Sequence, residues 1–456
     1  MVRIRPLFAV LFAIGLSTSA GATPPPQASS AASPPIAAAD RPDCVHRDHH
    51  LSYSNDGDTI QSFTVDCSRP PVTILVSIDG FRADYLTRGV TPNLNALAAD
   101  GISAAMRPSF PSKTFPNHWT LVTGMRPDRS GIVSNSMEDV ALPDKKFTME
   151  DSKDPFWWNA AEPIWVTAEK AGIRSATMFW PGSNVAWGGT MAKEWPNALT
   201  GGVRPEDWWP FDMVIPGNQR VNGVIDWLRR PPATRPKLIT LYFDTIDTAG
   251  HTFGPDAPET TRALGEIDAT IGSLLAGLRQ LGQPANLVIV ADHGMAGTSR
   301  ARTIAMDQVA SPDDYRIFET GTFASLYAVP GHEAALEKAL LRPHDHLQCW
   351  RKSEIPARFH YGTNPRIPPY FCLAEIGWLT AKTTPKKEGD LGNHGYDNLA
   401  PEMSALFVAA GPNIKPAGRL SSFDNVDIAP LLRDLLGLPP GNGLDGDDAP
   451  FKGVLQ

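Results

Sequence analysis

The sequence predicts an α/β fold, with a central, largely parallel sheet, helices on both faces and long loop insertions. Three observations predict it. Continuous apolar runs of strand length recur along the chain, amphipathic helical patterns fall between them, and three of the runs end in aspartate. Strands covered on both faces read as unbroken apolar runs, because neither face meets water. In such sheets the ligand crevice lies beyond the carboxyl ends of the strands.

The elements follow in chain order. Residues 1–22 run from Arg3 and Arg5 through an apolar stretch, Leu7–Leu16, to Ala20-Gly21-Ala22. That is the pattern of a cleavable secretory signal, too short to span a bilayer. No cysteine follows the apolar stretch until Cys44, so no stable membrane anchor is expected there. Residues 23–43 are a Pro/Ala/Ser stretch with almost no large apolar side chain, which reads as a flexible leader. The expected strands are "VTILVSIDG" (72–80), "SATMFW" (175–180), "KLITLYFDTID" (237–247), "NLVIVADHG" (286–294) and "SALFVAAG" (404–411). A short helix, "PNLNALAAD", has Thr91 as its cap, Pro92 in its first turn and Gly101 as its stop. Between the third and fourth runs, Leu264, Ile267, Ile271, Leu274, Leu275 and Leu278 mark a helix with one buried face. Residues 140–165, 182–220 and 342–372 lack either pattern. They are expected to be surface excursions carrying substrate contacts.

A chain of 456 residues with 42% hydrophobic content can bury a sizeable core. Removing residues 1–22 takes away two arginines and no acid, so the net charge of −8 becomes −10. Binding to a nucleic-acid polymer is therefore not expected. Four cysteines in an exported chain suggest two disulfides, and three connectivities are open. The sequence-local pairs, Cys44–Cys67 and Cys349–Cys372, are favoured. None of the four stands in a C-x-x-C spacing, so zinc held by thiolates is not expected.

The chemistry gathers at the strand ends. Asp79, Asp247 and Asp292 close three of the apolar runs, His251 stands four residues after Asp247, and His293 follows Asp292 directly. His394 lies in "GNHGY". Singly, each would be a helix cap or a surface histidine; together, hard carboxylates and borderline imidazoles at one sheet edge suit a dinuclear zinc site. In "SFPSKTFPNHWTLVTG" (109–124), Pro116 reads as the first turn of a helix. Thr114 then sits at the helix mouth, where free N–H groups favour an anion. His46, His49, His50, His344 and His346 lie in polar or Pro-rich stretches and are taken as solvated.

The segments "SIDGFRADYL", "PSKTFPNHWTLVTG", "DTIDTAGH", "ADHGM" and "GNHGYDN" together resemble the nucleotide pyrophosphatase/phosphodiesterases of the alkaline phosphatase superfamily, closest to bacterial secreted members. The resemblance implies that residues 44–456 form a single alkaline-phosphatase-like catalytic domain, exported to the periplasm. It implies two Zn²⁺ ions, one held by Asp247, His251 and His394, the other by Asp79, Thr114, Asp292 and His293. It makes Thr114 the nucleophile and has Asn135, in "GIVSNSM", bind a non-bridging phosphate oxygen. The implied substrates are small nucleotides, cleaved through a phospho-threonine to release a nucleoside 5'-monophosphate.

Asn135 without an arginine beside Thr114 favours diesters over monoesters, and Lys113, adjacent to Thr114, is expected to point elsewhere. Phe115 and Tyr242 would sandwich a nucleobase, although an aromatic in a strand more usually fills core. Two other classes stay open: a superfamily phosphomonoesterase or choline/lysophospholipid phosphodiesterase, and a non-catalytic metal-binding protein. The intact Thr114 argues against the last. The acidic tail "GNGLDGDDAP" lacks the glutamate an EF-hand loop requires and reads as a solvated turn.

Overall fold

Seven consecutive buried residues, Val72–Ile78, form strand β1 near the middle of an eight-stranded sheet. The computed structural model describes residues 69–456 apart from 151, 152, 193 and 197. The signal segment, the leader and the expected Cys44–Cys67 pair lie outside the described residues. The other strands of this sheet are β2 (Ile102–Met106), β3 (Ser175–Met178), β4 (Asp207–Trp209), β5 (Leu238–Phe243), β6 (Ala285–Val290), β7 (Ala405–Ala410) and β8 (Gly418–Arg419). Their order is β8-β2-β7-β6-β1-β5-β3-β4.

From β6 to β4 all neighbours are parallel, as the apolar runs predict. β7 departs from that expectation and pairs antiparallel with both β6 and β2. The run at 175–180 stops at Met178, because Phe179 takes left-handed backbone with φ 60° and cannot extend the strand. Each buried Val, Ile or Leu of these strands contributes about 1.5–3 kcal/mol relative to exposure.

Helices α1 (Pro92–Asp100), α2 (Thr114–Thr123), α3 (Gly217–Arg229), α4 (Thr245–Phe253) and α5 (Pro258–Gln280) accompany the sheet. α1, α3 and α4 pack on α5, whereas α2 packs with the helices Ile164–Lys170 and Ile428–Leu435. Two separate helix groups are what a doubly covered sheet requires. α5 buries the expected stripe from Leu264 to Leu278. The N-terminus of α1 is capped differently from the expectation. Thr91 makes no side-chain cap, and the Asp268 carboxylate of α5 instead accepts the N–H groups of Asn93 and Leu94 at 3.1 and 2.9 Å.

Residues 342–372 are no mere excursion. They supply two strands, Leu347–Arg351 and Tyr370–Ala374, to a second, antiparallel sheet with Tyr315–Glu319 and Phe323–Ala328. Cys349 and Cys372 face each other across it and form the expected disulfide. A smaller apolar cluster, including Met306, Leu326, Leu336 and Leu340, lies under this sheet. The tail is also less solvated than expected, because Asp445 accepts the Arg126 N–H at 2.7 Å and pairs with Arg129. Among the described residues no helix is long and apolar enough to cross a membrane.

Candidate active site

The parallel strands deliver their carboxylates to one edge. Asp79 follows β1 directly, Asp292 lies two residues past β6, and Asp247 sits in the first turn of α4, just after β5. Two glycines make the convergence possible. Gly80 has φ 68°, and a Cβ there would stand 2.9 Å from the Asp247 Cα; its N–H donates to Asp292 Oδ1 at 3.2 Å. Gly395, with φ 113°, carries His394 inward where a Cβ would collide with Thr322 Oγ1 at 2.4 Å.

The donors separate into two sets. His251, one helical turn after Asp247, places Nε2 3.5 Å from Asp247 Oδ1, and His394 Nε2 approaches the same oxygen at 3.6 Å. His293 Nε2 lies 2.9 Å from Asp292 Oδ2, 3.4 Å from Asp79 Oδ1 and 3.4 Å from Thr114 Oγ1. The His293 and His394 rings stack at 3.5 Å, which joins the sets.

Each imidazole is oriented by its other nitrogen. Nδ1 of His251 bonds Gly392 O at 2.8 Å, that of His394 bonds Ser112 O at 2.9 Å, and that of His293 bonds Gly294 O at 2.9 Å. A carbonyl can only accept, so each Nδ1 carries a proton, and in the neutral ring each Nε2 then presents a bare lone pair, the metal-ligating form.

Proximity alone groups the donors otherwise. Asp247, His293 and His394 form one cluster within 4.8 Å, and Asp79, His118 and Asp292 another. His118 drops out on chemical grounds, since hydrogen bonds to Ser77 Oγ and Thr114 O occupy both its ring nitrogens, each at 2.8 Å.

The electrostatics call for cations. Asp79 Oδ1, Asp247 Oδ1 and Asp292 Oδ2 are buried with no hydrogen-bond partner, and these are the oxygens that face the bare imidazole nitrogens. The second oxygen of Asp79 accepts the Tyr242 hydroxyl at 2.7 Å. Burial, followed by the neighbouring carboxylates, pushes Asp79 and Asp292 well above the usual carboxylate range. Burial also holds His293 and His394 neutral, below the usual histidine value. For His251 burial acts the same way, but Asp247 and Asp390 outweigh it and raise its pKa. Carboxylate and neutral imidazole donors of this kind fit zinc or a similar divalent ion.

Thr114 is the first residue of α2, and Pro116 the third. The preceding residue, Lys113, makes no side-chain cap. The Thr114 hydroxyl faces His293 and is almost fully buried. Asn135 accepts the Phe115 N–H through Oδ1 at 2.9 Å, which leaves its NH₂ as the outward end.

Lys113 turns toward the 394–396 turn, with its ammonium 5.5 Å from the Phe323 ring centroid. Its Cε lies against Gly395, beside His394, at 2.6 Å from where a Cβ would stand. Burial draws its ammonium below the usual lysine value against the pull of Glu319, Asp247 and Asp390.

The expected slot between Phe115 and Tyr242 is not open, because Phe211 stands between them. Its ring centroid is 5.0 Å from Phe115 and 5.2 Å from Tyr242. Tyr242 is wholly buried, and its hydroxyl serves Asp79. Phe211 is half-buried, from a stretch without periodicity, so no local signal marked it. His118 was findable, being four residues past Thr114 on one helix face.

A sheet-end cluster of carboxylates, neutral imidazoles and one helix-mouth hydroxyl defines a metal-dependent hydrolase. The family is more specific. A model described as type I phosphodiesterase/nucleotide pyrophosphatase matches residues 73–397, and the chain belongs to this family. An uncharacterized pyrophosphatase/phosphodiesterase of Schizosaccharomyces pombe is 37% identical over 406 residues, covering 81% of this chain and 78% of that protein. The bis(5'-adenosyl)-triphosphatase ENPP4 of Homo sapiens is 35% identical over 388 residues, covering 83% and 81%. Ectonucleotide pyrophosphatase/phosphodiesterase family member 3 of Bos taurus is 34% identical over 394 residues, covering 83% of this chain and 43% of that one. A solved structure of murine ectonucleotide pyrophosphatase/phosphodiesterase 5, an inactive variant in complex with AMP, superposes with a TM-score of 0.78 at 31% identity. It covers 85% of this chain and all of that one. The fold is thus alkaline-phosphatase-like, and the chain is a hydrolase of phosphodiester and pyrophosphate bonds.

Proposed function

We propose that this chain hydrolyses small nucleotides, namely nucleoside triphosphates, dinucleoside polyphosphates and nucleotide diesters, releasing a nucleoside 5'-monophosphate. The observation that carries the reading is the Thr114 hydroxyl. It lies at a helix N-terminus, takes no part in capping, and faces His293, whose Nε2 also adjoins Asp79 and Asp292.

Asp247, His251 and His394 would hold one zinc ion, and Asp79, Asp292, His293 and Thr114 the other. Bound zinc supplies Lewis acidity, which lowers the pKa of a hydroxyl and neutralises charge on phosphate. Thr114 Oγ attacks phosphorus in line, the bond to the leaving oxygen breaks, and a phospho-threonine forms. Water then attacks that phosphorus and returns the threonine. The free NH₂ of Asn135 and the Thr114 N–H, which has no intrahelical acceptor, hold a non-bridging oxygen. The inactive murine relative solved with AMP carries a threonine-to-alanine change, in keeping with this role.

For the base, the half-buried Phe211 is the ring that can meet it, since Phe115 and Tyr242 are fully buried beneath it.

A substrate panel on zinc-loaded protein tests the reading, comparing a dinucleoside polyphosphate, ATP, a nitrophenyl diester, a nitrophenyl monoester and glycerophosphocholine. The two nucleotides should give the highest kcat/KM. A monoester or glycerophosphocholine in first place would replace nucleotides with the corresponding superfamily substrate.

A further inference from the structure

His118 is fully buried beneath the proposed nucleophile, and nothing in the reaction above uses it. Its Nδ1 lies 2.8 Å from the Thr114 carbonyl oxygen and its Nε2 2.8 Å from Ser77 Oγ. The carbonyl fixes the tautomer: Nδ1–H donates, Nε2 is bare, and the Ser77 hydroxyl donates to it. Trp180 and Tyr242 meet the ring edge-on at 5.0 and 5.2 Å. The indole N–H of Trp180 donates to the His118 carbonyl at 3.2 Å. Ser77 precedes Asp79 by two residues along β1, and Tyr242 bonds Asp79 itself. One imidazole therefore joins the backbone of Thr114 to the strand that carries a candidate ligand.

The Thr114 hydroxyl has no comparably short bond. Its hydrogen bond is to His293 Nε2, at 3.4 Å. Its aim is consequently set through its backbone, and the side chain gripping that backbone is His118.

We propose that His118 is a positioning residue, which holds Thr114 in line with the Asp79, Asp292 and His293 donors through the Nδ1–H bond that Ser77 registers. The inference rests on Thr114 being the nucleophile. Its signature is a loss in kcat at nearly constant KM, because substrate contacts lie on other residues.

His118→Phe keeps the ring and its edge contacts and removes both hydrogen bonds. Its kcat should fall on the order of 10²-fold, the effect of a misplacement of about 1 Å. KM should stay within about twofold and metal content should hold, the pattern of an interaction acting on the chemical step alone. His118→Asn puts an amide donor near the Nδ1 position and should recover about tenfold over His118→Phe. Ser77→Ala removes only the hydroxyl that donates to Nε2 and should lower kcat less, and the ¹⁵N spectrum of histidine-labelled protein should show the Nδ1–H tautomer kept with the Nε2 resonance shifted.

Thr114→Ala belongs in the same panel. If it keeps turnover, the nucleophile reading fails. If it is inactive while metal-loaded His118→Phe keeps its kcat, the positioning role alone is overturned. Equal losses in the Phe and Asn variants, or a kcat that merely tracks metal content, would make His118 scaffold and overturn it as well. Should His118→Phe not fold, Ser77→Ala decides: a shifted Nε2 resonance at unchanged kcat refutes the proposal.

Discussion

A threonine hydroxyl at a helix mouth can cap the helix or react, and the reactive role proposed for Thr114 rests on what it leaves undone. Its oxygen bonds no N–H of α2 and faces His293 instead. Thr114→Ala should therefore lower kcat by at least on the order of 10³-fold, as nucleophile deletions do, while metal analysis still finds the ions bound. Substantial residual turnover would return Thr114 to a structural role. Phe211 makes a separable prediction. It is half-buried where Phe115 and Tyr242 are wholly buried, so Phe211→Ala should cost about 1–3 kcal/mol in kcat/KM for a nucleotide, the worth of one stacked base. A nitrophenyl diester has no nucleobase and should lose far less. Equal losses on both substrates would make the ring part of the scaffold. At this scale the sequence was legible where spacing carries geometry: Asp247 and His251 share a helix face because they stand four apart. It was silent on Lys113, because adjacency in sequence says nothing about where a long side chain turns, and on Phe211, whose neighbours come from distant segments.

Among the elements, α1 shows a capping role moved to another helix. Asp268 is buried on α5 and accepts N–H groups of Asn93 and Leu94. Asp268→Ala leaves those donors unpaired and should cost about 1–3 kcal/mol of stability in urea unfolding. An unchanged midpoint would mean that water replaces the carboxylate. The helix Ile428–Leu435 is entered through Asp427, whose carboxyl burial, and then Asp424 and Asp447, raise from 3.8 to about 6. An acid whose pKa is higher folded than unfolded stabilises fully below its unfolded value, and the gain is lost as pH rises through the folded value. Asp427→Asn should therefore be more stable than the parent at pH 8, with the difference closing towards pH 4. Thermal midpoints at the two pH values check this, and a difference that widens on acidification would reverse the assignment. Five apolar runs foretold five strands, since burial on both faces leaves a compositional mark. β2, β4 and β8 were missed, being short or half-exposed. The second sheet was missed because Pro, His and Cys in 342–372 obscured its alternation.

For the molecule as a whole, three bare carboxylate oxygens lie together in the interior, and they repel one another without a cation. Chelation should abolish turnover and lower the thermal midpoint together. A ligand that binds only the folded state adds about 4 kcal/mol when its free concentration is 1,000 times Kd. Zinc should restore both better than magnesium, which binds imidazole poorly. A midpoint indifferent to chelator would mean that the cluster holds no ion. The stitch between Ser112 and the 394–396 turn, built from Ser112 O, Ser112 Oγ and Gly395 N, has a consequence in time. Chains are made from the N-terminus, so Asp79, Thr114, Asp247 and His251 all emerge well before His394. Until it arrives, Asp247 lacks its second imidazole and the segment leading into Thr114 lacks its clasp. The candidate site is thus complete only once residue 394 has been made, and a chain cut short ahead of it should be inert rather than half active.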